Sequence, residues 1–239
     1  MLASVQELRA SKAHPIDARQ LLRNTHDVPR SLDDYLARGT VRGVEAKDHL
    51  FADGDAVTSI YRVLSGALCL YKVLPDGRRQ VIDFAYSGDV IGLESGSHAT
   101  YNAQATVATR VSCLPRAILD HAAANDPRIA MQLYRTMASN VEAMRDHLIC
   151  VGQRSATERL VGFLLALARR RASVGSGTDC VELPMTRADI ADFLGLTIET
   201  VSRTLSKLKA QGCINIVHGT VIRLIDPAAL ASLAEGEVS

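Results

Sequence analysis

Leu183-Pro-Met-Thr-Arg-Ala-Asp-Ile-Ala-Asp-Phe-Leu194, then Gly195-Leu196, then Thr197-Ile-Glu-Thr-Val-Ser-Arg-Thr-Leu-Ser-Lys-Leu-Lys209 decide how this chain reads. Thr186 is a good helix N-cap, and Asp189 stands three residues on as its reciprocal capping partner. Ile190, Phe193 and Leu194 form the buried face of that first helix, and Gly195 ends it. Thr197 caps a second helix whose Val201, Leu205 and Leu208 fall inward at i, i+4 and i+7. Glu199, Ser202, Arg203 and Lys207 fall largely on the other side. Two short helices around a glycine turn make a helix-turn-helix. Cys213-Ile-Asn-Ile-Val217, His218-Gly219-Thr220 and Val221-Ile-Arg-Leu-Ile225 then read as a hairpin, a wing beside the helices.

The outward residues carry base-reading chemistry. Arginine can bond guanine O6 and N7 together, glutamate can accept from cytosine N4, and serine can play either role. They lie in the first turns of the second helix, the part that enters the major groove in this motif. The expected DNA-contacting set is Thr186, Arg187, Thr197, Ile198, Glu199, Thr200, Ser202, Arg203 and Lys207. Thr200, Thr204, Ser206, Lys207 and Lys209 suit phosphate contacts that set register. A solvated charged face on a small helical domain is the bland alternative. Cap, glycine turn, second helix and hairpin in that order are far more specific than charge alone.

Working toward the N-terminus, a helix is expected over Ser155–Arg171, apolar through Leu160–Leu167 and ending in arginines that complement its dipole. Before it, Tyr134, Met137, Val141, Met144, Leu148 and Val151 step by 3 and 4 alternately. That narrow seam predicts pairing with a second copy in parallel, although a helix lying on its own domain would also bury one stripe. Residues 51–111 have another texture. Ser59–Leu64, Ala67–Leu74, Gln80–Phe84 and Ala105–Val111 are β-branched or aromatic runs, separated by glycine turns at Gly54, Gly66, Gly77 and Gly88. Short strands with turn signals between them predict an antiparallel sandwich or roll. The first 40 residues read as a polar lead-in with a short helix near Ser31–Leu36, and Ser173–Thr178 as a flexible loop. The expected fold class is α+β. Its domains are the lead-in (1–40), a β-roll of sensor type (41–126), a dimerisation helix (127–153) and a winged helix-turn-helix (154–235).

Bulk composition narrows the class. The chain has 239 residues, 47% of them hydrophobic and 22% charged, enough for a real core. Its net charge is only +1, so any DNA affinity must come from a local patch. The five cysteines, Cys69, Cys113, Cys150, Cys180 and Cys213, are odd in number and widely spaced, which fits free thiols in a reducing cytoplasm. The N-terminal segment has no apolar h-region, and no stretch approaches a membrane span. A cytoplasmic location follows as the expectation.

Met185-Thr-Arg-x-Asp-Ile-x-x-Phe-Leu-Gly-Leu-Thr-x-Glu-Thr-Val-Ser-Arg203 resembles the signature of the Crp/Fnr superfamily, and most its FixK/Fnr branch. Phe51, Gly54-Asp55, Tyr61, Gly66, Gly77-Arg78, Gly88-Asp89 and Gly92-Leu-Glu94 resemble that superfamily's cyclic-nucleotide-binding-type β-roll. The resemblance spans about residues 45–233 and implies a β-roll, a long dimerisation helix and a C-terminal winged helix-turn-helix. It also implies a transcription regulator, an activator, whose partners are double-stranded DNA, a second copy of itself and RNA polymerase. Glu199, Ser202 and Arg203 imply a TTGAT-type half-site repeated in inversion as ATCAA, with low-oxygen or respiratory genes as targets.

The departures concern sensing. The Fnr iron–sulfur cluster uses closely spaced N-terminal cysteines, and here none precedes Cys69; Cys113 alone stands near the fourth ligand's position, and a cluster needs about four ligands. The cyclic-AMP branch places an Arg-Ser pair where Asn102-Ala103 stand, so a buried phosphate would lack its charge partner. Both familiar sensors look absent, which is the FixK pattern, and no cofactor or metal is expected. A haem- or small-ligand-sensing regulator of the same fold is the main rival, but His14, His26, His49, His98, His121, His147 and His218 show no ligand spacing. A metal-dependent β-barrel enzyme would need a His-x-His pair, which the chain lacks. A thiol switch at Cys180 or Cys213 would depend on thiolate character that sequence does not reveal.

Overall fold

The computed structural model describes residues 29–94, 96–173 and 180–236. Most of the polar lead-in and the loop expected at Ser173–Thr178 lie outside them, apart from Ser173.

Eight strands build the N-terminal roll: β1 (Thr40–Val44), β2 (His49–Phe51), β3 (Ser59–Ser65), β4 (Ala67–Val73), β5 (Arg79–Tyr86), β6 (Val90–Ile91), β7 (Asn102–Ala105) and β8 (Thr109–Pro115). They form two antiparallel sheets, ordered β1-β8-β3-β6 and β2-β7-β4-β5. Val44, Val63, Ile91 and Val111 from the first meet Leu50, Leu68, Leu70, Ala85 and Ala103 from the second in one core. The run Ala105–Val111, expected as a single strand, is broken. Thr106–Ala108 turn the chain, and strands end on one sheet and begin on the other. Gly66 sits under that turn with φ +87°, where an added Cβ would lie 2.7 Å from Ala108 O. Only glycine fits there.

Helix α1 (Leu32–Ala37) begins one residue after Ser31, whose hydroxyl accepts from Asp34 N–H while the Asp34 carboxylate accepts from Ser31 N–H. Its Leu32 and Leu36 pack with Ile60, Leu114, Leu119 and Ile129. After α2 (Arg116–Asn125), Asp126 caps α3 (Pro127–Gln153) by accepting from Arg128 N–H at 2.9 Å, with Pro127 in the first turn where its missing N–H costs nothing. The 27 residues of α3 span about 40 Å, and Ile129 is its one buried residue.

Helix α4 (Ala156–Ser173) leads into the C-terminal unit: β9 (Cys180–Glu182), α5 (Arg187–Leu194), α6 (Ile198–Ala210), β10 (Ile214–Val217), β11 (Val221–Leu224) and α7 (Pro227–Glu235). The predicted hairpin is present, with β9 added as a third strand in the order β10-β11-β9. A large core joins Leu160 and Leu164 of α4, Ile190 and Leu194 of α5, Val201, Leu205 and Leu208 of α6, and Leu230 of α7. It also includes Cys69, Val81 and Phe84, so the outer face of the β4–β5 hairpin and the C-terminal unit share one apolar interior. Among the described residues, no helix is long and apolar enough to cross a membrane.

Candidate DNA-binding surface

The surface starts at the cap of α5. Thr186 Oγ1 accepts from Asp189 N–H at 3.1 Å, and Asp189 Oδ2 accepts from Thr186 N–H at 2.9 Å, closing the box read from the sequence. Burial pushes the Asp189 carboxyl up, but hydrogen bonds from Arg79 and Thr186 outweigh it and hold the group below the usual carboxylate range. Gly195 ends α5 in the left-handed region at φ +63°, which gives the tight turn. Thr197 then caps α6, its hydroxyl accepting from Thr200 N–H at 3.2 Å.

Leu205 and Val201 are buried under α6, while Thr186, Arg187, Thr197, Ile198, Glu199, Arg203 and Lys207 are exposed. Thr200 and Ser202 are half-buried. Arg187 Nη1 donates to Ser202 Oγ at 3.3 Å, which joins the start of α5 to the outer face of α6. Glu199 is held below its ordinary value by its own backbone N–H and the Thr197 hydroxyl, with Arg203 one turn away helping. It is therefore an ionised, acceptor-only group near neutral pH. Lys207 and Lys209 lie in the last turn. Thr204 corrects an expectation: it is 8% exposed and faces the core, so it is not available to a phosphate. The wing turns through His218 and Gly219, both at positive φ.

A second surface runs along α3. Tyr134, Met137, Val141, Met144 and Leu148 are 46–74% exposed, a continuous apolar stripe on a helix that buries almost nothing of its own. Met131 and Ile149 on the same helix are also exposed. Val151 departs from the stripe: the residue is half-buried, and a Cβ on Gly195 would lie 3.3 Å from its Cγ1, so it supports the helix-turn-helix. The thiols are free among the described residues. Cys213 is 7% exposed in the core beneath the wing, which removes it as an accessible redox thiol, whereas Cys180 is half-buried in β9. Burial pushes the Cys69 thiol up to about 12.

The cavity beside Phe51, Tyr61 and Tyr101 is too small for a cyclic nucleotide. Phe51 packs on Tyr61 and Tyr101 with ring centroids 5.7 and 5.4 Å apart, and Tyr101 OH donates to Glu94 Oε1 at 2.7 Å. The space left beside them is about 10 Å³, room for one water. The described residues lining it include the carboxylates Asp55 and Glu94 and no cation, so a cyclic phosphate would meet like charge. Asn102 is committed elsewhere, accepting from Asp53 N–H and donating to Tyr71 O. Among the described residues, no three His, Cys, Asp or Glu side chains converge as a metal site.

Comparison with known proteins agrees with this architecture. The cyclic nucleotide-binding domain family matches residues 41–126, and the Crp-like helix-turn-helix domain family matches residues 158–233. The nitrogen fixation regulation protein FixK of Bradyrhizobium diazoefficiens is 41% identical over 77% of this chain and 78% of its own length. The fumarate and nitrate reduction regulatory protein of Escherichia coli is 32% identical over 88% and 84%. The structure of FixK2 from Bradyrhizobium japonicum superposes with a TM-score of 0.77 at 36% identity, covering 82% of this chain and 96% of that one. With the likeness running through both the roll and the helix-turn-helix, the chain belongs to the Crp/Fnr superfamily of transcription regulators, on its FixK branch.

Proposed function

We propose that this regulator binds as a homodimer to an inverted repeat of the form TTGAT…ATCAA and activates transcription there through RNA polymerase. The observation that carries the reading is the outward row Glu199, Ser202 and Arg203 on a recognition helix whose opposite face is fully buried. Arg203 reads guanine, Glu199 accepts from cytosine, and Ser202 serves both while tied to Arg187. Thr186, Thr197, Ile198, Thr200 and Lys207 complete the contact surface, with Lys207 on phosphate. The α3 stripe supplies the dimer seam, because a long exposed apolar row on a soluble helix is relieved by a second copy. An inverted repeat then matches the two-fold symmetry of the protein.

The domains in this reading are a lead-in to residue 40, the roll to 126, the dimerisation helix to 153 and the DNA-binding domain to 235. The site of action is the cytoplasm, and catalysis has no part in it. Low-oxygen or respiratory genes are its targets in this reading, and the name of the fumarate and nitrate reduction regulatory protein supports the respiratory part. That of the transcriptional activatory protein AadR of Rhodopseudomonas palustris, 38% identical over 79% of this chain, supports activation. The small cavity beside Phe51, Tyr61 and Tyr101, whose described lining holds no cation, supports action without a small effector. Selection of binding sites from random duplexes tests the reading. It should return the TTGAT inverted repeat, and recovery of unrelated or single unpaired sites would refute it.

A further inference from the structure

One contact ties the roll to the reading head with unusual economy of atoms. Arg79 opens β5, and its Nη1 donates to Asp189 Oδ1 at 2.5 Å and lies 3.9 Å from Asp192 Oδ2. Its Nη2 donates to Cys69 Sγ at 3.1 Å, and its guanidinium plane lies 4.2 Å from the centre of the Tyr71 ring. Edge and face of the group are thus both engaged. The pair is partly withdrawn from water, with side-chain exposures of 30% for Arg79 and 12% for Asp189. Exposed ion pairs contribute little, but a part-buried guanidinium engaged on several sides is directional and hard to replace.

The acceptor is what gives the contact its meaning. Asp189 is the capping carboxylate of α5: its other oxygen accepts from the Thr186 N–H and hydroxyl, at 2.9 and 2.7 Å. From that cap, Arg187 reaches Ser202 on α6. A strut lies beside it, where Gln80 Nε2 donates to Asp192 O at 2.9 Å. Beneath both, Phe84 of β5 packs edge-on to Phe193 of α5 at 5.3 Å. Burial of that kind holds the two bodies together; its hydrophobic part has no direction, and the edge-on rings add only a modest orientational preference. The polar fork fixes the angle.

We propose that Arg79 is a positioning residue for recognition: by holding the capping carboxylate of α5 it sets the angle at which α6 is presented, and so the half-site spacing that the dimer accepts. The inference rests on the inverted-repeat reading above. In a two-fold dimer a small rotation of each reading head changes the separation of the recognition helices, while each head still fits a single half-site. Loss of the Arg79 contact leaves the heads attached through Phe84, Phe193 and the Gln80–Asp192 bond, but held less sharply in angle.

The test measures fluorescence anisotropy of the full chain on inverted repeats whose spacer is varied by one and two base pairs, and on a duplex with one half-site. Wild type should prefer its best spacer at least tenfold over one altered by two base pairs. Arg79→Ala should reduce that preference below threefold, with single half-site affinity within twofold of wild type. Asp189→Asn, which keeps an oxygen for the Thr186 N–H, should likewise lower the spacing preference, and the double variant should lower it no further. Arg79→Lys, an ion-pairing group without the fork, should fall between. Arg79→Gln replaces Arg79→Ala should the latter not yield folded dimer. A wild-type spacing profile in the folded variants overturns the proposal, and so does an equal loss on every duplex including the half-site. Wild type without spacing preference overturns the inverted-repeat reading itself.

Discussion

Replacing Met137 and Met144 together by glutamate separates the account of α3 as a dimer seam from that of a helix exposed for no reason. Neither substitution touches the protomer's own core, since the two side chains are 48% and 70% exposed. Full burial of a methionine stabilises by about 1.5–3 kcal/mol, and these two have roughly half to two-thirds of their surface left to cover, or about 1–2 kcal/mol each. A two-fold interface counts every side chain twice, which brings the four methionines to about 4–8 kcal/mol. Each glutamate also faces its symmetry mate, and like charges about 4 Å apart add further repulsion in any partly desolvated seam. The dimerisation constant should therefore weaken by roughly three to six decades. Sedimentation velocity at micromolar concentration should show a wild-type dimer and a folded variant monomer with poor affinity for the inverted repeat. A variant that sediments like wild type, or a wild type that is itself monomeric, refutes the reasoning.

The other predictions concern reading, the turn and pH. Arg203→Ala should cost about 1–3 kcal/mol on a TTGAT site and relax the preference at guanine, whereas Lys207→Ala should weaken all sequences alike and lower the salt slope by about one ion; salt-dependent anisotropy on matched and mismatched duplexes distinguishes them. Gly195→Ala forces an L side chain into φ +63° with its Cβ 3.3 Å from Val151 Cγ1, and should cost about 1–3 kcal/mol in urea unfolding. His147 stacks on Phe193 with ring centroids 4.0 Å apart, and burial holds its imidazole below the ordinary 6.5. The unfolded chain then binds the proton more readily than the folded one, so this contribution is present above about pH 6.5 and is lost as pH falls below it. The melting temperature should drop more between pH 7.5 and 5.5 for wild type than for His147→Phe, and equal drops would contradict this.

The reading head was legible because its signals are local. Thr186 with Asp189, Gly195, Thr197 and the period of Val201, Leu205 and Leu208 all lie within one turn or two of what they specify. Thr204 shows chemistry misleading where period did not: counted from Val201 it occupies i+3 of the inward stripe, and its hydroxyl drew it outward in the reading. The edge strands β1 and β2 and the added strand β9 went unread because each is three to five residues long and carries no alternation of its own. Helices α2 and α7 are alanine-rich, with short apolar faces that declare themselves only against α3 and α4. Val151 belongs to the seam by spacing and to the Gly195 turn by contact. The fork between Arg79 and Asp189 joins residues 110 apart, and no one-dimensional pattern pairs them.

We propose that this chain, free of any effector, is a sequence-specific dimer already poised to bind. A competent free state is the simplest expectation where the described residues lining the cavity beside Phe51 include no charge partner for a cyclic phosphate. The measurement is a fluorescence-anisotropy titration of protein purified in air with reductant, at fixed salt, against the TTGAT…ATCAA repeat and a scrambled duplex. It is repeated with cyclic AMP, after iron reconstitution and under anaerobiosis. The account predicts at least a thousandfold preference for the repeat in the untreated protein, in the range usual for specific binding, and a change below about threefold, or roughly 0.7 kcal/mol, under each treatment. Equal affinity for the two duplexes, or a tenfold gain with any one treatment, would contradict it.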